Sequence, residues 1–266
     1  MTLLFWNLFK NNNASYLSSI IKENDIDIAV CAEYLVTDIK TVEKNLSQYD
    51  VCYGYGGNDK IIMLSKNSVN VSLRQEQSRY SIYICEQGNF RCIIAGIHLP
   101  ANPGANSEAR KNIIRDLVAD ISEVEKELKL DNTIVIGDFN ASPFDDELIQ
   151  KDTFNAVLFK DLIMEHEKVL FNRKYYKRFY NPHISVISEE KKHYGSFYYS
   201  NGINSLYWYS YDQIIVRKPL VNLLEQVWYC KYANGKPLIN QIAPNKQISD
   251  HLPLIARLKT GANNNE

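Results

Sequence analysis

The hydrophobic residues of this chain fall into short β-branched runs and into longer stretches with helical spacing. Short apolar runs bounded by polar and turn residues predict strands. They are expected at residues 3–6, 27–31, 60–65, 69–73, 80–85, 90–98, 133–136, 211–216 and 252–258. Apolar positions three and four residues apart predict helices at 14–23, 41–46 and 107–130.

Helices and strands alternate irregularly, and several connections are short enough for hairpins. This order favours an α/β sandwich over a purely parallel, doubly wound sheet. With 266 residues, 45% of them hydrophobic, the chain is long enough for one large core. We expect a single domain over residues 1–260 and a polar, disordered tail at 261–266.

The bulk composition narrows the setting in which the protein works. The formal net charge is −1, so any attraction to phosphate has to be local. Five scattered cysteines without a CxxC pair indicate buried free thiols in a reducing compartment. The apolar patch at 3–6 is too short for a signal peptide, and no run approaches a membrane span. We therefore expect a soluble, cytoplasmic monomer without membrane contact, and the sequence indicates no protein partner.

The run Thr133 to Ile136 leads into Gly137-Asp138-Phe139-Asn140 and then Pro143. In an extended chain, side chains two residues apart point the same way. Asp138 and Asn140 could therefore face one small site. Glycine would allow a sharp exit from the strand, and the proline discourages its continuation.

Polar groups occur at the ends of other predicted strands as well. If early and late strands run antiparallel, these ends share one edge and gather Asn7, Glu33, His98, Asp138, Asn140, Asp212, Asp250 and His251. Taken singly, an aspartate at a strand end is usually a turn or cap residue. Together they suit a Mg²⁺ or Mn²⁺ site for phosphate-ester hydrolysis, because carboxylate and amide oxygens are hard ligands.

Six motifs in order along the chain carry a resemblance. They are Phe5-Trp6-Asn7, Ala32-Glu33, Gly96-Ile97-His98-Leu99-Pro100, Gly137-Asp138-Phe139-Asn140, Tyr211-Asp212-Gln213-Ile214 and Ser249-Asp250-His251-Leu252-Pro253. The set resembles the endonuclease/exonuclease/phosphatase superfamily, the fold of deoxyribonuclease I. The resemblance implies a four-layer α/β sandwich, with two mixed β-sheets packed face to face, helices outside and one catalytic domain.

The resemblance also implies roles for individual residues. Glu33 would bind the metal, supported by Asn7, with Asp250 as a further ligand or neighbour. Asp138 would position or deprotonate the attacking water, and Asn140 would hold that water or the phosphate. Asp212 would orient His251, which would contact the scissile phosphate.

His98 matches the second histidine of the deoxyribonuclease-like members, and Asp59 is the best candidate for its carboxylate partner. A loop aspartate is at least as good an interpretation of Asp59. Arg110 could reach phosphate, although a solvated helix residue is the default.

A dense basic-aromatic segment runs from Arg173 to Tyr180. It could form a phosphate-binding, base-stacking wall beside the active site, or its tyrosines could simply pack over the core. The candidates for substrate contacts are Arg173, Lys174, Tyr176, Lys177 and Arg178.

The resemblance leaves the substrate open, because fold does not determine function. The first hypothesis is a metal-dependent nuclease, endonuclease or exonuclease, with DNA or RNA as its partner. The alternative is a phosphatase or phosphodiesterase of a small or lipid-linked phosphate. The third is a catalytically silent binding module.

Overall fold

The computed structural model describes residues 1–56, 60–101, 106–189, 195–202 and 206–261. The chain forms two large mixed β-sheets with helices against them, as the fold prediction requires. In the described part of the chain, no helix is both long and apolar enough to span a bilayer.

Most of the helical structure lies in three helices. The helices in chain order are α1 Ala14–Glu23, α2 Val36–Asn45, α3 Ser107–Leu128, α4 Asp146–Ile149, α5 Lys160–Glu165 and α6 His183–Glu189. The longest, α3, is capped by Asn106, whose side chain accepts a hydrogen bond from the Ala109 amide at 2.9 Å. Its buried Ile114, Leu117 and Ile121 recur at helical spacing, which is why that face packs on a sheet.

The strands, numbered in chain order, are mostly short. They are β1 Thr2–Asn7, β2 Ile28–Ala32, β3 Tyr49–Cys52, β4 Ile61–Lys66, β5 Asn70–Gln77, β6 Tyr80–Gln87, β7 Phe90–His98, β8 Thr133–Asp138, β9 Ala156–Val157, β10 Lys168–Phe171, β11 Lys174–Lys177, β12 Phe179–Tyr180, β13 Phe197–Tyr198, β14 Trp208–Tyr209, β15 Asp212–Val216, β16 Leu224–Tyr229, β17 Tyr232–Ala233, β18 Lys236–Pro237, β19 Ile239–Asn240, β20 Ala243–Pro244 and β21 Leu254–Leu258.

Two sheets organise the molecule. The first has the strand order β16-β21-β1-β2-β4-β3, and the second has the order β5-β6-β7-β8-β15-β12-β9. In the first sheet, β1 runs parallel to β2 and antiparallel to β21. In the second, β7 runs parallel to β8, which is antiparallel to β15. This mixture brings the ends of several strands to one edge of each sheet.

One apolar core lies between the two sheets, and a second lies between the outer face of the second sheet and α3. The first joins Val30 and Ile61 of one sheet to Ile94, Ile136 and Ile214 of the other. The second packs Ile82, Ala95, Val135 and Ile215 under the apolar face of α3. Residues alternate between the two cores along β7, β8 and β15, so these central strands are buried on both faces.

The predicted elements agree with the structure in kind and differ at their ends. α1 and β7 have the predicted bounds, whereas α2 begins at Val36 rather than at residue 41. The short helices α4 to α6 and most two-residue strands carry too little periodicity to be predicted. Residues 262–266 of the predicted tail lie outside the described residues, and the single-domain assignment stays a prediction.

Candidate active site

The register of three neighbouring strands places three titratable residues side by side. His98 at the end of β7 pairs with Asp138 at the end of β8. Asp138 pairs in turn with Asp212, the first residue of the antiparallel β15. On the other sheet, Asn7 ends β1 and Glu33 directly follows β2. These strand ends form one polar cluster, which we call the catalytic edge.

Asp138 lies at the centre of the catalytic edge and is almost fully buried. Its Oδ2 accepts a hydrogen bond from Asn7 Nδ2 at 3.2 Å, and its Oδ1 accepts one from the Asn140 amide at 2.9 Å. Asn7 Nδ2 also lies 3.3 Å from Glu33 Oε1, so one amide links both carboxylates. Both oxygens of Asp138 are therefore held in a fixed orientation.

The sequence suggested that Gly137 would form the exit from the strand. The structure instead places Gly137 inside β8. A Cβ atom at this position would lie 2.0 Å from the Ile97 carbonyl oxygen. Glycine is therefore needed for the close approach of β7 and β8 that sets Asp138 beside His98.

His251 and Asp212 form a buried hydrogen-bonded pair, with 2.7 Å between His251 Nδ1 and Asp212 Oδ2. Burial opposes charge on the imidazole, but the carboxylates of Asp212, Asp138 and Asp250 raise the pKa of His251 to about 10. Burial also raises the pKa of Asp212 to about 6, against the opposing effect of His251. At neutral pH His251 is thus protonated beside the Asp212 carboxylate, and its Nε2 lies 4.0 Å from Asp138 Oδ2.

The second histidine lies on the other side of Asp138. His98 Nε2 is 3.5 Å from Glu33 Oε1 and 3.9 Å from Asp138 Oδ2. Burial lowers the pKa of His98 despite these two carboxylates, so the ring is neutral near pH 7. His98 Nδ1 has no hydrogen-bond partner among the described residues, and its proposed partner Asp59 lies outside them.

Asn140 and Glu33 both adopt left-handed backbone conformations, with φ of 45° and 48°. Asn140 Nδ2 donates to the Leu99 carbonyl oxygen at 2.8 Å. One amide hydrogen is thus used inside the protein, and the other remains for a ligand. The Asn140 side chain is consequently oriented by the loop that follows β7.

The carboxylates of the catalytic edge have the oxygen donors that a hard cation prefers. Asp250 Oδ1 and Asp212 Oδ1 are buried and have no hydrogen-bond partner among the described residues. Donor atoms of Asp138, Asp212 and His251 lie within 4.8 Å of one another. The Asp212–His251 contact is better explained as a hydrogen bond, and Glu33, Asn7 and Asp250 stay the predicted metal-binding residues.

A profile of the Endonuclease/Exonuclease/phosphatase family matches residues 4–251. The chain belongs to this family. No curated protein sequence matches it significantly. Membership supports hydrolysis of phosphoester bonds as the reaction.

Solved structures of low sequence identity share the fold. Truncated TDP2 from Caenorhabditis elegans is 14% identical with a TM-score of 0.63, covering 97% of this chain and 96% of that one. TDP2 from D. rerio, complexed with a single-strand DNA product, is 12% identical with a TM-score of 0.64, covering 96% and 97%. A mannosyl-6-phosphatase from Bacteroides thetaiotaomicron is 13% identical with a TM-score of 0.63, covering 97% and 99%.

Several residues that the sequence did not single out support the family's histidine motif. Ser249 Oγ donates to the Asn7 carbonyl oxygen at 2.7 Å and accepts from the His251 amide at 3.0 Å. Trp6 Nε1 donates to the His251 carbonyl oxygen at 3.0 Å. Ser249 and Trp6 lie inside the quoted motifs, so their position was a usable signal. They tie the late loop to β1 and thereby fix His251 relative to Asn7.

A row of half-buried aromatic rings extends from His251. The Phe197 ring lies 5.0 Å from the imidazole, and the stacked Tyr211 ring lies 5.5 Å from Phe197. Tyr209 stacks on Tyr211 at 5.1 Å. We call these three rings the aromatic row. The sequence motifs include Tyr211 but gave no sign that Phe197 and Tyr209 would extend this row from the histidine.

The basic-aromatic segment lies elsewhere. Lys177 Nζ binds Asp131 at 2.6 Å and Glu125 at 3.2 Å, next to Thr133, where β8 begins. Asp138 ends that strand, five residues or about 16 Å away. The expected wall beside the active site is therefore wrong in its location, because the hairpin β10–β11 folds over the opposite edge.

The other predicted substrate contacts are placed as follows. Arg173, Lys174 and Tyr176 belong to the β10–β11 hairpin, while Arg178 Nη1 donates to the His166 carbonyl oxygen at 2.6 Å. Arg110 is buried, with Nη2 2.8 Å from Glu147 Oε1. Arg110 is thus a buried, ion-paired residue and not a solvated one, and its contact with substrate stays a prediction.

Proposed function

We propose that the protein is a Mg²⁺- or Mn²⁺-dependent nuclease that hydrolyses phosphodiester bonds in DNA or RNA. The observation that carries this proposal is the position of His251, a cationic donor oriented by Asp212, 4.0 Å from the fixed carboxylate of Asp138. A base for water and a donor for a phosphate oxygen thus face the same small volume.

Asp138 orients the attacking water and accepts its proton. Its Oδ1 accepts from the Asn140 amide and its Oδ2 accepts from Asn7, which leaves a second lone pair on Oδ2 for the water. A carboxylate held by two donors is preorganised, which removes the cost of reorienting it during reaction. Asn140, with its free amide hydrogen, contacts the water or the phosphate.

His251 stabilises the negative charge that develops on the phosphoryl oxygens. Its charge is maintained by Asp212, Asp138 and Asp250, and the hydrogen bond to Asp212 fixes the direction of Nε2. Neutral His98 supplies a second hydrogen-bonding group on the opposite side of Asp138. The two histidines would bracket the scissile phosphate.

Glu33, Asn7 and Asp250 are the residues proposed to hold the metal ion. When bound, a divalent ion stabilises the charge on the phosphoryl group and lowers the pKa of a bound water. The buried Asp250 Oδ1, which lacks a hydrogen-bond partner among the described residues, supports this assignment.

The aromatic row favours a substrate with a planar group next to the phosphate. Phe197 and Tyr211 could stack a nucleobase, since every base offers a π-face. The D. rerio TDP2 structure, with its single-strand DNA product, also favours a nucleic-acid substrate. The second candidate is a phosphatase of a sugar phosphate, because a sugar ring also packs on aromatic faces and a mannosyl-6-phosphatase shares the fold.

The deciding experiment offers single-stranded DNA, single-stranded RNA, duplex DNA and mannose 6-phosphate to the protein with Mg²⁺ or Mn²⁺. We expect cleavage of a nucleic acid, abolished by EDTA and restored by added metal. Asp138→Asn should lower turnover by about 10²–10⁴-fold. The matched control is Asp161→Asn in α5, an exposed carboxylate that should leave turnover unchanged.

Phosphate release from mannose 6-phosphate without nucleic-acid cleavage would overturn the nuclease proposal and support the second candidate. Hydrolysis that survives both EDTA and Asp138→Asn would overturn the assigned site itself. Absence of turnover on every substrate, with nucleic acid still bound, would support the binding-module hypothesis.

A further inference from the structure

A large groove lies at the edge of the second sheet opposite Asp138. It encloses about 1010 Å³ between the outer face of α3, residues 151–153 and the hairpin β10–β11. Its floor includes Arg217, whose backbone amide donates to the Thr133 carbonyl oxygen where β8 begins. We call it the basic groove, and it shares no lining residue with the catalytic edge.

The three carboxylates that line the basic groove are already neutralised. Glu125 Oε1 accepts from Arg217 Nε at 2.8 Å, and Glu125 Oε2 lies 3.2 Å from Lys177 Nζ. Lys177 also binds Asp131 at 2.6 Å. Asp152 pairs with Arg115 at 2.9 Å. Three cations and three carboxylates thus form closed ion pairs within the groove.

Five further lysines line the groove, and none has a carboxylate within ion-pair distance in the described part of the chain. They are Lys126, Lys129, Lys151, Lys168 and Lys174, all exposed. The whole protein has a net charge of −1, so this surplus is a local feature. A concave surface with an excess of one charge concentrates ligands of the opposite charge.

Three of these lysines lie over aromatic rings instead of beside carboxylates. The ammonium groups of Lys151, Lys168 and Lys174 are 4.4, 4.9 and 5.1 Å from the ring centroids of Phe171, Tyr175 and Tyr176. Tyr175 is 61% exposed, and Phe171 is 42% exposed. Cations and accessible rings therefore alternate along one wall, which combines contacts for phosphates with stacking faces for bases.

We propose that the basic groove binds single-stranded nucleic acid at a site separate from the catalytic edge. The unpaired lysines would neutralise backbone phosphates, and Tyr175 would stack an unpaired base. A duplex keeps its bases stacked inside, so the exposed ring favours a single strand. This binding does not depend on hydrolysis and is expected even if the proposed function is wrong.

The test measures binding of a fluorescent oligodeoxythymidine of about 20 nucleotides in EDTA, in an Asp138→Asn background. The groove variant combines Lys151→Gln, Lys168→Gln and Lys174→Gln. The matched control combines Lys22→Gln, Lys40→Gln and Lys44→Gln, three exposed lysines on α1 and α2.

The groove variant should weaken binding at least about tenfold at low salt and reduce the slope of log K against log salt by about 2, because three phosphate contacts are lost. The control should change neither quantity. Tyr175→Ser should weaken binding about fivefold or more, whereas Tyr232→Ser, at a ring that is 67% exposed elsewhere, should not.

Equal affinities for the groove variant and its control would overturn the proposal. Two results together would overturn the assignment to nucleic acid and show that the groove binds any polyanion. They are competition by inorganic polyphosphate as strong as that by the oligonucleotide, and unchanged binding in Tyr175→Ser. With Asp138 intact, the groove variant should turn over a small chromogenic phosphodiester as fast as the unmodified protein does. This assay tests the proposed hydrolysis without involving the groove, so its failure is distinguished from a failure of groove binding.

Discussion

The side chains clustered at the two ends of β8 and β15 carry an excess of opposite charge. At the catalytic edge, Glu33, Asp138, Asp212 and Asp250 face one cationic histidine, His251, and one neutral histidine. At the basic groove, Glu125 and Asp131 are fully paired and lysines are in excess. One edge of the sheet therefore lacks positive charge, and the other lacks negative charge.

One pair of strands thus presents two surfaces that favour ligands of opposite charge. Buried carboxylates without enough cations are costly unless a metal ion joins them. Surplus surface lysines cost little, because water solvates them until an anion arrives. The catalytic edge is thus expected to be rigid and cation-seeking, and the basic groove adaptable and anion-seeking.

The largest effect should come from breaking the histidine pair at the catalytic edge. Asp212→Asn removes the carboxylate charge that keeps His251 protonated and that orients the ring through the 2.7 Å contact between Asp212 Oδ2 and His251 Nδ1. We expect turnover to fall by about 10²–10⁴-fold, measured by steady-state hydrolysis with Mg²⁺.

The same variant should bind oligodeoxythymidine at the basic groove as the unmodified protein does, since the two regions are independent. Turnover within a few-fold of the unmodified enzyme would show that Asp212 does not position His251. Altered groove binding would instead show that the two edges are coupled.

The next effect concerns stability and arises at the other end of the strands. Glu125→Gln leaves Arg217, which is 3% exposed, and Lys177 without their common carboxylate. We expect the free energy of unfolding to fall by about 3 kcal/mol in urea denaturation. Turnover per folded molecule should not change.

Glu127→Gln is the control on the same helix, because Glu127 pairs with Arg74 at an exposed position. The Glu127→Gln substitution should lower the free energy of unfolding by less than about 1 kcal/mol. Equal losses for the two variants would mean that burial of the Glu125 pair does not matter.

A last prediction concerns the pH dependence of stability and tests His183, which lies between the two edges behind Asp212. Its Nε2 accepts from the Ile214 amide at 3.2 Å, and its Nδ1 contacts Tyr229 Oη, which donates to the Asp212 carbonyl oxygen. Burial lowers the pKa of His183 to about 3. Between about pH 3 and 6.5 the unfolded chain thus binds one more proton than the folded chain.

The contribution of neutral His183 to the free energy of unfolding should therefore be fully present above about pH 6.5. It should be lost as the pH falls toward 3, by up to about 1.4 kcal/mol per pH unit. His183→Gln keeps an acceptor for Ile214 and should flatten that dependence, measured by urea denaturation at a series of pH values. Parallel curves for the two proteins would contradict the neutral, buried state of His183.

The catalytic edge could be predicted from the sequence because strand ends follow from local patterns. Asn7, Asp138 and Asp212 end or begin strands, Glu33 directly follows one, and His251 lies three residues before β21; the structure brings these five together. The mixed α/β fold followed from the same periodicity. The functional roles of these residues remain predictions.

The placement of the basic-aromatic segment could not be predicted in this way. Its position depends on contacts of Lys177 with Glu125 and Asp131, which lie 52 and 46 residues away along the chain. A run of lysines and tyrosines has no local feature that selects one edge of a sheet over the other. The burial of Arg110 against Glu147 is likewise a long-range event.

The left-handed backbones of Glu33 and Asn140 have a consequence for how this protein can vary. A glutamate in that conformation costs roughly 1–2 kcal/mol, so glycine at position 33 would favour folding, whereas asparagine tolerates it more readily. Selection for thermal robustness alone would thus push the chain toward losing the Glu33 carboxylate. A library screened only for resistance to heat should accumulate glycine at position 33, and loss of activity in those members would support the proposed metal-binding role of Glu33.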